Sequence, residues 1–191
     1  MKKLSLAFLA MSVIAANGSA FAAPTDAGTG QINFTGFINN DACTVDGSVG
    51  KEKAIIVDMG NLAIKDIGTD TAPTAGRIGA SNFNLNVNCN QGTKVAMRFE
   101  AAKGGSGVVA GKKVLALNPG LESAKGVGIA IMDSNGQVID LNTPATAKIE
   151  SALNGGDATL TFAAAYVTTA DPKTATPGDG NATLPFTLEY E

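Results

Sequence analysis

Histidine is absent from this chain of 191 residues, and so is tryptophan. Without histidine there is no Ser-His-Asp triad, no Cys-His pair and no imidazole ligand for a metal, which excludes most hydrolase designs. Charge is also scarce, since Asp, Glu, Lys and Arg make up 16% of the residues and the net charge is −3. Such a chain has no cationic field to attract nucleic acid or anionic lipid.

The first 22 residues have the organisation of a signal peptide. Two lysines precede an apolar run, Leu4 to Ala16, which is too short to span a bilayer. Ala20 and Ala22 then supply the small residues that signal peptidase requires before its cleavage site. We therefore expect export and a mature chain that begins at Ala23. The alternative, an uncleaved anchor, would need about 18 continuous apolar residues.

Cysteine occurs only twice, at Cys43 and Cys89. In an exported chain an even pair of cysteines predicts one disulfide, and the lack of a CxxC pair or a histidine argues against a metal site. Closing a loop of about 47 residues in this way stabilises a fold by roughly 4 kcal/mol on the chain-entropy estimate. Cys89 ends an alternating apolar row, so we expect its partner on a neighbouring strand or on the facing sheet.

Period-two alternation is the dominant pattern in the body of the chain. It is clearest from Phe83 to Cys89, where apolar residues alternate with asparagine. Asp133 to Gly136 is a hairpin signal, because Asn-Gly accepts the positive φ of a tight turn. Helix is expected at most as one short turn within Asn61 to Asp66. The predicted strands are 83–89, 95–99, 127–132, Ile55 to Met59, Val114 to Leu117, Leu160 to Val167 and Leu184 to Tyr190.

These patterns predict an all-β fold. Seven or eight strands, 23 glycines, 7 prolines and one disulfide are typical of a β-sandwich of immunoglobulin-like kind. The absence of tryptophan and the 45 residues between the two cysteines distinguish it from an antibody domain. The sandwich is therefore immunoglobulin-like in architecture only.

Both ends of the mature chain alternate like strands. The N-terminal segment presents two small, two large and one small residue on one face: Gly28, Gly30, Ile32, Phe34 and Gly36. The last segment presents an apolar row that ends beside Glu191: Leu184, Phe186, Leu188 and Tyr190. A terminal strand such as 28–36 is either the first strand of its own domain or a strand given to another molecule.

In this order the features resemble the chaperone-usher pilins, and within them the major subunits of type 1-like fimbriae. The resemblance covers approximately Ala23 to Glu191. It rests on the run Gly30 to Gly36, Asn40-Asp41-Ala42 before Cys43, the second cysteine at Cys89, Gly178 as the fourteenth residue from the end, and the penultimate Tyr190.

The resemblance implies an incomplete immunoglobulin-like β-sandwich, completed by a donor strand from a neighbouring subunit. It divides the chain into a signal peptide at 1–22, a donor-strand extension at 23–36 and a pilin domain at 37–191. Ile32 and Phe34 would be the principal plugs of the groove, while Gly30 would pass a narrow point. The row Leu184 to Tyr190 would lie beside a strand lent by a chaperone, whose basic residues would anchor the carboxylate at Glu191.

The resemblance also implies a function, a structural subunit of a fimbria that polymerises head to tail by donor-strand exchange into an adhesive surface filament. The expected partners are other copies of the chain, a periplasmic chaperone and an outer-membrane usher, without nucleic acid, cofactor, metal or catalysis. The chain would pass through the periplasm to the cell surface. The alternative is a secreted monomeric carbohydrate-binding β-sandwich, with Ile32 and Phe34 packed in their own domain. Pro185 removes a donor from the last strand and leaves its register open.

Overall fold

The computed structural model describes Gln31, Cys43–Val45 and residues 54–74 and 80–191. Nearly all the regular structure in these ranges is β, and one 3-10 turn, Ile64–Asp66, falls within the segment where a helical turn is predicted. The strands belong to a compact unit, Asn39–Glu191. They are β1 (Cys43–Val45), β2 (Gly68–Thr69), β3 (Ala80–Cys89), β4 (Lys94–Phe99), β5 (Val127–Met132), β6 (Lys148–Ala152), β7 (Asp157–Thr168) and β8 (Phe186–Tyr190).

The strands form two sheets. The first has the order β1-β3-β7-β2, with β5 also paired to β7, and the second has the order β6-β4-β8. All pairs are antiparallel except β2 with β7, which is parallel. β7 is the longest strand, and its twelve residues pair with β3 along 157–165 and with β5 along 163–168.

One hydrophobic core joins the two sheets. Leu85 and Leu160 of the first sheet belong to the same buried cluster as Met97 and Ile149 of the second. The ring of Phe162 connects the sheets, because its centroid lies 5.8 Å from that of Phe99 in β4. The predicted all-β sandwich is therefore confirmed, since residues from strands of both sheets meet in a shared core.

The predicted disulfide between Cys43 and Cys89 is present. The two cysteines lie directly opposite each other in the β1–β3 ladder, with their Cα atoms 4.0 Å apart. The partner of Cys89 therefore comes from a neighbouring strand and not from the facing sheet.

Two predicted strands are not strands in the structure. Ile55 to Met59 has the expected alternation of burial but belongs to no ladder in the described part of the chain. Within Val114 to Leu117 only Leu115 forms bridges, each of them isolated, and Val114 is buried with Ala130 and Val167 in a small cluster. Alternation predicts a pleated surface correctly in the first case, but it says nothing about a partner strand.

The predicted hairpin after β5 is confirmed at its turn. Gly136 has a φ of 75°, and its backbone N–H donates to the carbonyl of Asp133 at 2.9 Å. The Asp133 carboxylate accepts hydrogen bonds from the backbone of Asn135 at 2.9 Å and of Gln137 at 2.8 Å. The returning segment is short, with a single bridge between Met132 and Val138.

Candidate functional site

The last strand, β8, lies at the edge of the second sheet. It pairs in antiparallel fashion with β4, so that Leu188 is opposite Met97 and Phe186 is opposite Phe99. No residue within 43–45, 54–74 or 80–191 pairs with its other side. The direction of each peptide group in β8 therefore determines which N–H and C=O groups could form hydrogen bonds with a further strand.

The hydrogen bonds to β4 determine that direction. Lys94 and Glu191 exchange two backbone hydrogen bonds, of 2.9 and 3.2 Å, and the N–H of Glu100 donates to the carbonyl of Pro185 at 2.8 Å. Bonded pairs alternate along an antiparallel ladder, so the odd-numbered residues from 185 to 191 turn their peptide groups towards β4. The even-numbered residues turn theirs away from it: Leu184, Phe186, Leu188 and Tyr190.

The same alternation continues upstream through Ser106. Its backbone N–H donates to the carbonyl of Thr183 at 3.0 Å, and its hydroxyl oxygen accepts the N–H of Thr183 at 2.7 Å. This close approach depends on Gly105, since a Cβ there would lie 2.4 Å from the Thr183 carbonyl oxygen. We call the side of Ala182–Tyr190 that faces away from β4 the open edge.

Pro185 does not interrupt the open edge. Its nitrogen faces β4, where the missing N–H leaves the carbonyl of Glu100 without that one donor, while its own carbonyl accepts from Glu100. The outward-facing peptide groups of Leu184 and Phe186 are unaffected. The sequence leaves the register of the last strand open, and the structure has a register in which proline is tolerated at position 185.

The side chains of the open edge are apolar and incompletely covered. Leu184, Phe186 and Leu188 are half-buried and pack against the main core. Tyr190, the fourth member of the predicted row, is 40% exposed and lies against Gly92 at the end of the strand. The structure therefore brings three of the four predicted residues together, with Tyr190 at the exposed end.

A second strand-like segment lies unpaired in the described chain, at 54–60. Ile55, Val57 and Met59 are half-buried, whereas Ile56 is 86% exposed. Ile55 and Met59 pack against the same core as the side chains of the open edge. Two segments that each alternate like a strand thus border the core, although neither has a full set of strand neighbours among the described residues.

Tyr166 of β7 marks one end of the open edge. Its hydroxyl donates to the carbonyl of Gly180 at 2.9 Å, and a Cβ at Gly180 would lie 2.4 Å from that hydroxyl. Burial raises the pKa of Tyr166, and the carboxylate of Asp58 raises it further, so the hydroxyl stays protonated as a donor. Sequence reasoning missed the contacts of Tyr166 with Gly180 and Asp58, because no sequence pattern connects these positions.

The opposite face of the second sheet is charged. Arg98 forms an ion pair with Glu189 at 2.7 Å, and Lys103 forms one with Glu100 at 2.8 Å. The hydrogen bond from Lys103 is the main cause that lowers the pKa of Glu100. Glu189 of the last strand thus lies on the charged face, whereas the even-numbered residues Leu184, Phe186 and Leu188 pack against the core.

Some predicted site residues lie outside the described residues. These are Gly28, Gly30, Ile32, Phe34 and Gly36.

The backbone oxygen of Glu191 is bonded within its own chain, since it accepts from the N–H and the hydroxyl of Thr93 at 2.5 and 3.3 Å. In the described ranges no cluster of three or more metal-binding side chains occurs, and no helix is long and apolar enough to cross a membrane.

Comparison with known proteins identifies the family. A family model described as "Fimbrial protein" matches residues 32–191, which is most of the chain. The chain belongs to the fimbrial protein family. This fimbrial chain is 34% identical over 196 residues to the type-1 fimbrial protein A chain of Escherichia coli, with 100% of each sequence covered. It is 31% identical over 191 residues to long polar fimbria protein A of Salmonella typhimurium, covering 100% of this chain and 98% of that protein.

Solved structures include fimbrial proteins as well. The fimbrial chain is similar to the antigen and type I fimbria protein of Burkholderia pseudomallei, with 24% identity and a TM-score of 0.49. The match covers 80% of this chain and 91% of that one. The resemblance drawn from the sequence motifs is confirmed by the family match and by the full-length relatives.

Proposed function

We propose that this chain is a structural subunit of a fimbria, and that it polymerises when the N-terminal arm of one copy, residues 23–36, adds as a strand to the open edge of the next. The observation that carries the proposal is the open edge itself, a run from Ala182 to Tyr190 with outward-facing peptide groups and an apolar, half-buried row of side chains. Strand addition uses both features, because main-chain bonds supply affinity and alternate side chains set the register.

The alternating part of the arm, residues 28–36, has the same length as the open edge. The open edge spans nine residues, of which five turn their peptide groups outward, and 28–36 also spans nine residues, of which five share the apolar face. Each main-chain hydrogen bond contributes about 0.5 to 1.5 kcal/mol, and burying Ile32 or Phe34 contributes about 1.5 to 3 kcal/mol. An added arm of this length is therefore expected to dissociate slowly.

The arm is expected to run antiparallel to β8. Both strand pairs of the second sheet are antiparallel, and antiparallel pairing is slightly more stable per residue than parallel pairing. In this orientation the C-terminal end of the arm, near Gly36, leaves the open edge beside Ala182. The remaining domain of the copy that supplies the arm is therefore connected to the arm at the Ala182 end of the open edge.

The proposed contact makes a filament. The arm and the open edge are different surfaces, so each copy can donate to one neighbour and accept from another, and the contact does not close on itself. Before assembly an apolar edge invites aggregation, which supports transit through the periplasm under cover of a chaperone and export through an outer-membrane usher. The role is structural, at the cell surface, without catalysis.

The variant Phe34→Asp tests this function, with Asn33→Asp as the matched control. Both introduce one carboxylate into the arm, but in the alternating sequence residue 34 belongs to the apolar row and residue 33 to the polar row. We expect Phe34→Asp to lower the yield of surface filaments by more than about tenfold, because a charge in an apolar groove costs more than 1.4 kcal/mol. Asn33→Asp is expected to assemble like the parent chain.

Filaments are counted by electron microscopy after expression with the chaperone and usher, and periplasmic chaperone capture shows that each variant is folded. Normal filaments from the Phe34→Asp chain contradict the proposal. If the chain is instead a self-contained monomeric sandwich, the parent chain should fold without a chaperone and form no filaments. In that case Phe34→Asp should prevent folding, because it places a charge in the chain's own core.

A further inference from the structure

Leu121 is the most exposed large apolar residue in the described part of the chain. Its side chain is 98% exposed, compared with 86% for Ile56 and 40% for Tyr190. It lies in the loop 118–124, which we call the Leu121 loop, between the bridge-forming Leu115 and β5. No core contact explains a leucine at this position.

The Leu121 loop is fixed by hydrogen bonds on both sides of the leucine. The hydroxyl of Ser123 donates to the carbonyl of Asn118 at 2.7 Å, which closes the loop. The N–H of Asp179 donates to the carbonyl of Glu122 at 2.6 Å, and the N–H of Ala124 donates to the carbonyl of Asp179 at 3.0 Å. The leucine is thus presented to solvent on a braced backbone, so contact with a partner would cost little ordering entropy.

The segment 178–181 is bonded to the Leu121 loop and continues directly into the open edge. Gly178 lies so close to the loop that a Cβ would be 2.3 Å from the carbonyl oxygen of Glu122. Gly180 follows with its bond to Tyr166, and the N–H of Asn118 donates to the carbonyl of Asn181 at 2.8 Å. The Leu121 loop is therefore bonded to the segment 178–181, which leads into the Ala182 end of the open edge.

We propose that Leu121 docks against the body of the neighbouring copy whose arm occupies the open edge, an inference that rests on the proposed function. An antiparallel arm leaves the edge at the Ala182 end, beside the Leu121 loop. Between Gly36 and Cys43 the chain takes seven residue steps, which span at most about 25 Å when fully extended. The neighbour's first strand is thus tethered within reach of Leu121, and a second copy of this chain is the partner that covers it.

Hydroxyl-radical footprinting tests the contact directly. Leu121 is labelled in assembled filaments and in the chaperone-bound Phe34→Asp chain, each normalised to radical dose. We expect Leu121 to react at least about threefold more slowly in the filament, because burial removes the side chain from solvent. Equal reactivity in the two forms overturns the inference.

A pair of variants provides the second measurement. Leu121→Asp is expected to shorten filaments by about threefold or more, because it places a charge in the apolar contact. Ala145→Asp, at an exposed position of another loop, is expected to leave their length unchanged. Filaments of parental length from the Leu121→Asp chain contradict the inference.

The two proposals fail in different ways. If the Phe34→Asp chain polymerises, the proposed function is wrong and the inference about Leu121 falls with it. If that chain does not polymerise but Leu121 is equally reactive in both forms, only the inference is wrong.

Discussion

The second sheet has two edges that flank the same central strand, β4, and they differ in which residues turn their peptide groups outward. At β6, the N–H of Phe99 donates to the carbonyl of Ala147 at 2.7 Å and the N–H of Leu153 donates to that of Thr93 at 2.9 Å. By the alternation of an antiparallel ladder, Lys148 and Glu150 therefore face outward at this edge.

Two of the three outward residues of β6 are charged, Lys148 and Glu150, and the third is Ala152, whereas the outward residues of β8 are apolar. Glu150 forms ion pairs with Lys94 at 2.7 Å and with Lys148 at 3.1 Å on the outer face of the sheet. Charges on an edge strand discourage another strand from adding there, and an apolar, core-facing row has the opposite effect. Both edges have the same neighbour and the same pairing, so they differ in the side chains of the residues whose peptide groups face outward. Under the proposed function, this difference favours strand addition at β8 over addition at β6.

The largest effect is expected from breaking the apolar edge, with Phe186→Ala compared with Glu189→Ala on the same strand. Phe186 is half-buried against the core, so its loss should lower the free energy of unfolding by roughly 2 to 3 kcal/mol and prevent filament formation. Glu189 loses an exposed ion pair with Arg98, worth about 0.2 to 1 kcal/mol.

Urea unfolding of the purified subunits and filament yield measure the two variants side by side. An equal loss of stability and assembly in both would mean that the two faces of β8 do not differ in role.

Alternation in the sequence was sufficient to predict this apolar row, and two lone cysteines were sufficient to predict the disulfide. Neither pattern contains information about partners. Burial alternates along Ile55 to Met59 as it does in a paired strand, yet pairing depends on which other backbone lies within hydrogen-bonding distance. The orientation of Pro185 likewise becomes clear only from the bonds between Lys94 and Glu191. Contacts such as Tyr166 with Gly180, and the exposure of Leu121, depend on the tertiary structure alone.

A smaller effect is expected from making the charged edge apolar. The double variant Lys148→Val and Glu150→Val keeps β-propensity but removes both charges from the outward positions of β6. We expect this chain, combined with Phe34→Asp so that the arm cannot bind, to self-associate in light scattering. The single Phe34→Asp chain is the control. If both remain monodisperse at the same concentration, edge charge does not protect β6.

The smallest effect concerns the pH dependence of the β6 ion pairs. The hydrogen bond from Lys94 is the main cause that lowers the pKa of Glu150 below its usual value of 4.5, and Lys148 adds to it. Because the carboxylate is favoured in the folded state, its contribution to stability is present above the unfolded pKa and is lost as pH falls through the folded pKa.

Glu150→Gln should therefore be less stable than the parent near neutral pH by at most about 0.5 kcal/mol, since the pair is solvent-exposed. The difference should disappear below the folded pKa and shrink with added salt, and urea titrations of both chains across this range measure it. A difference that persists in acid would show that Glu150 acts at this edge through packing and not through its charge.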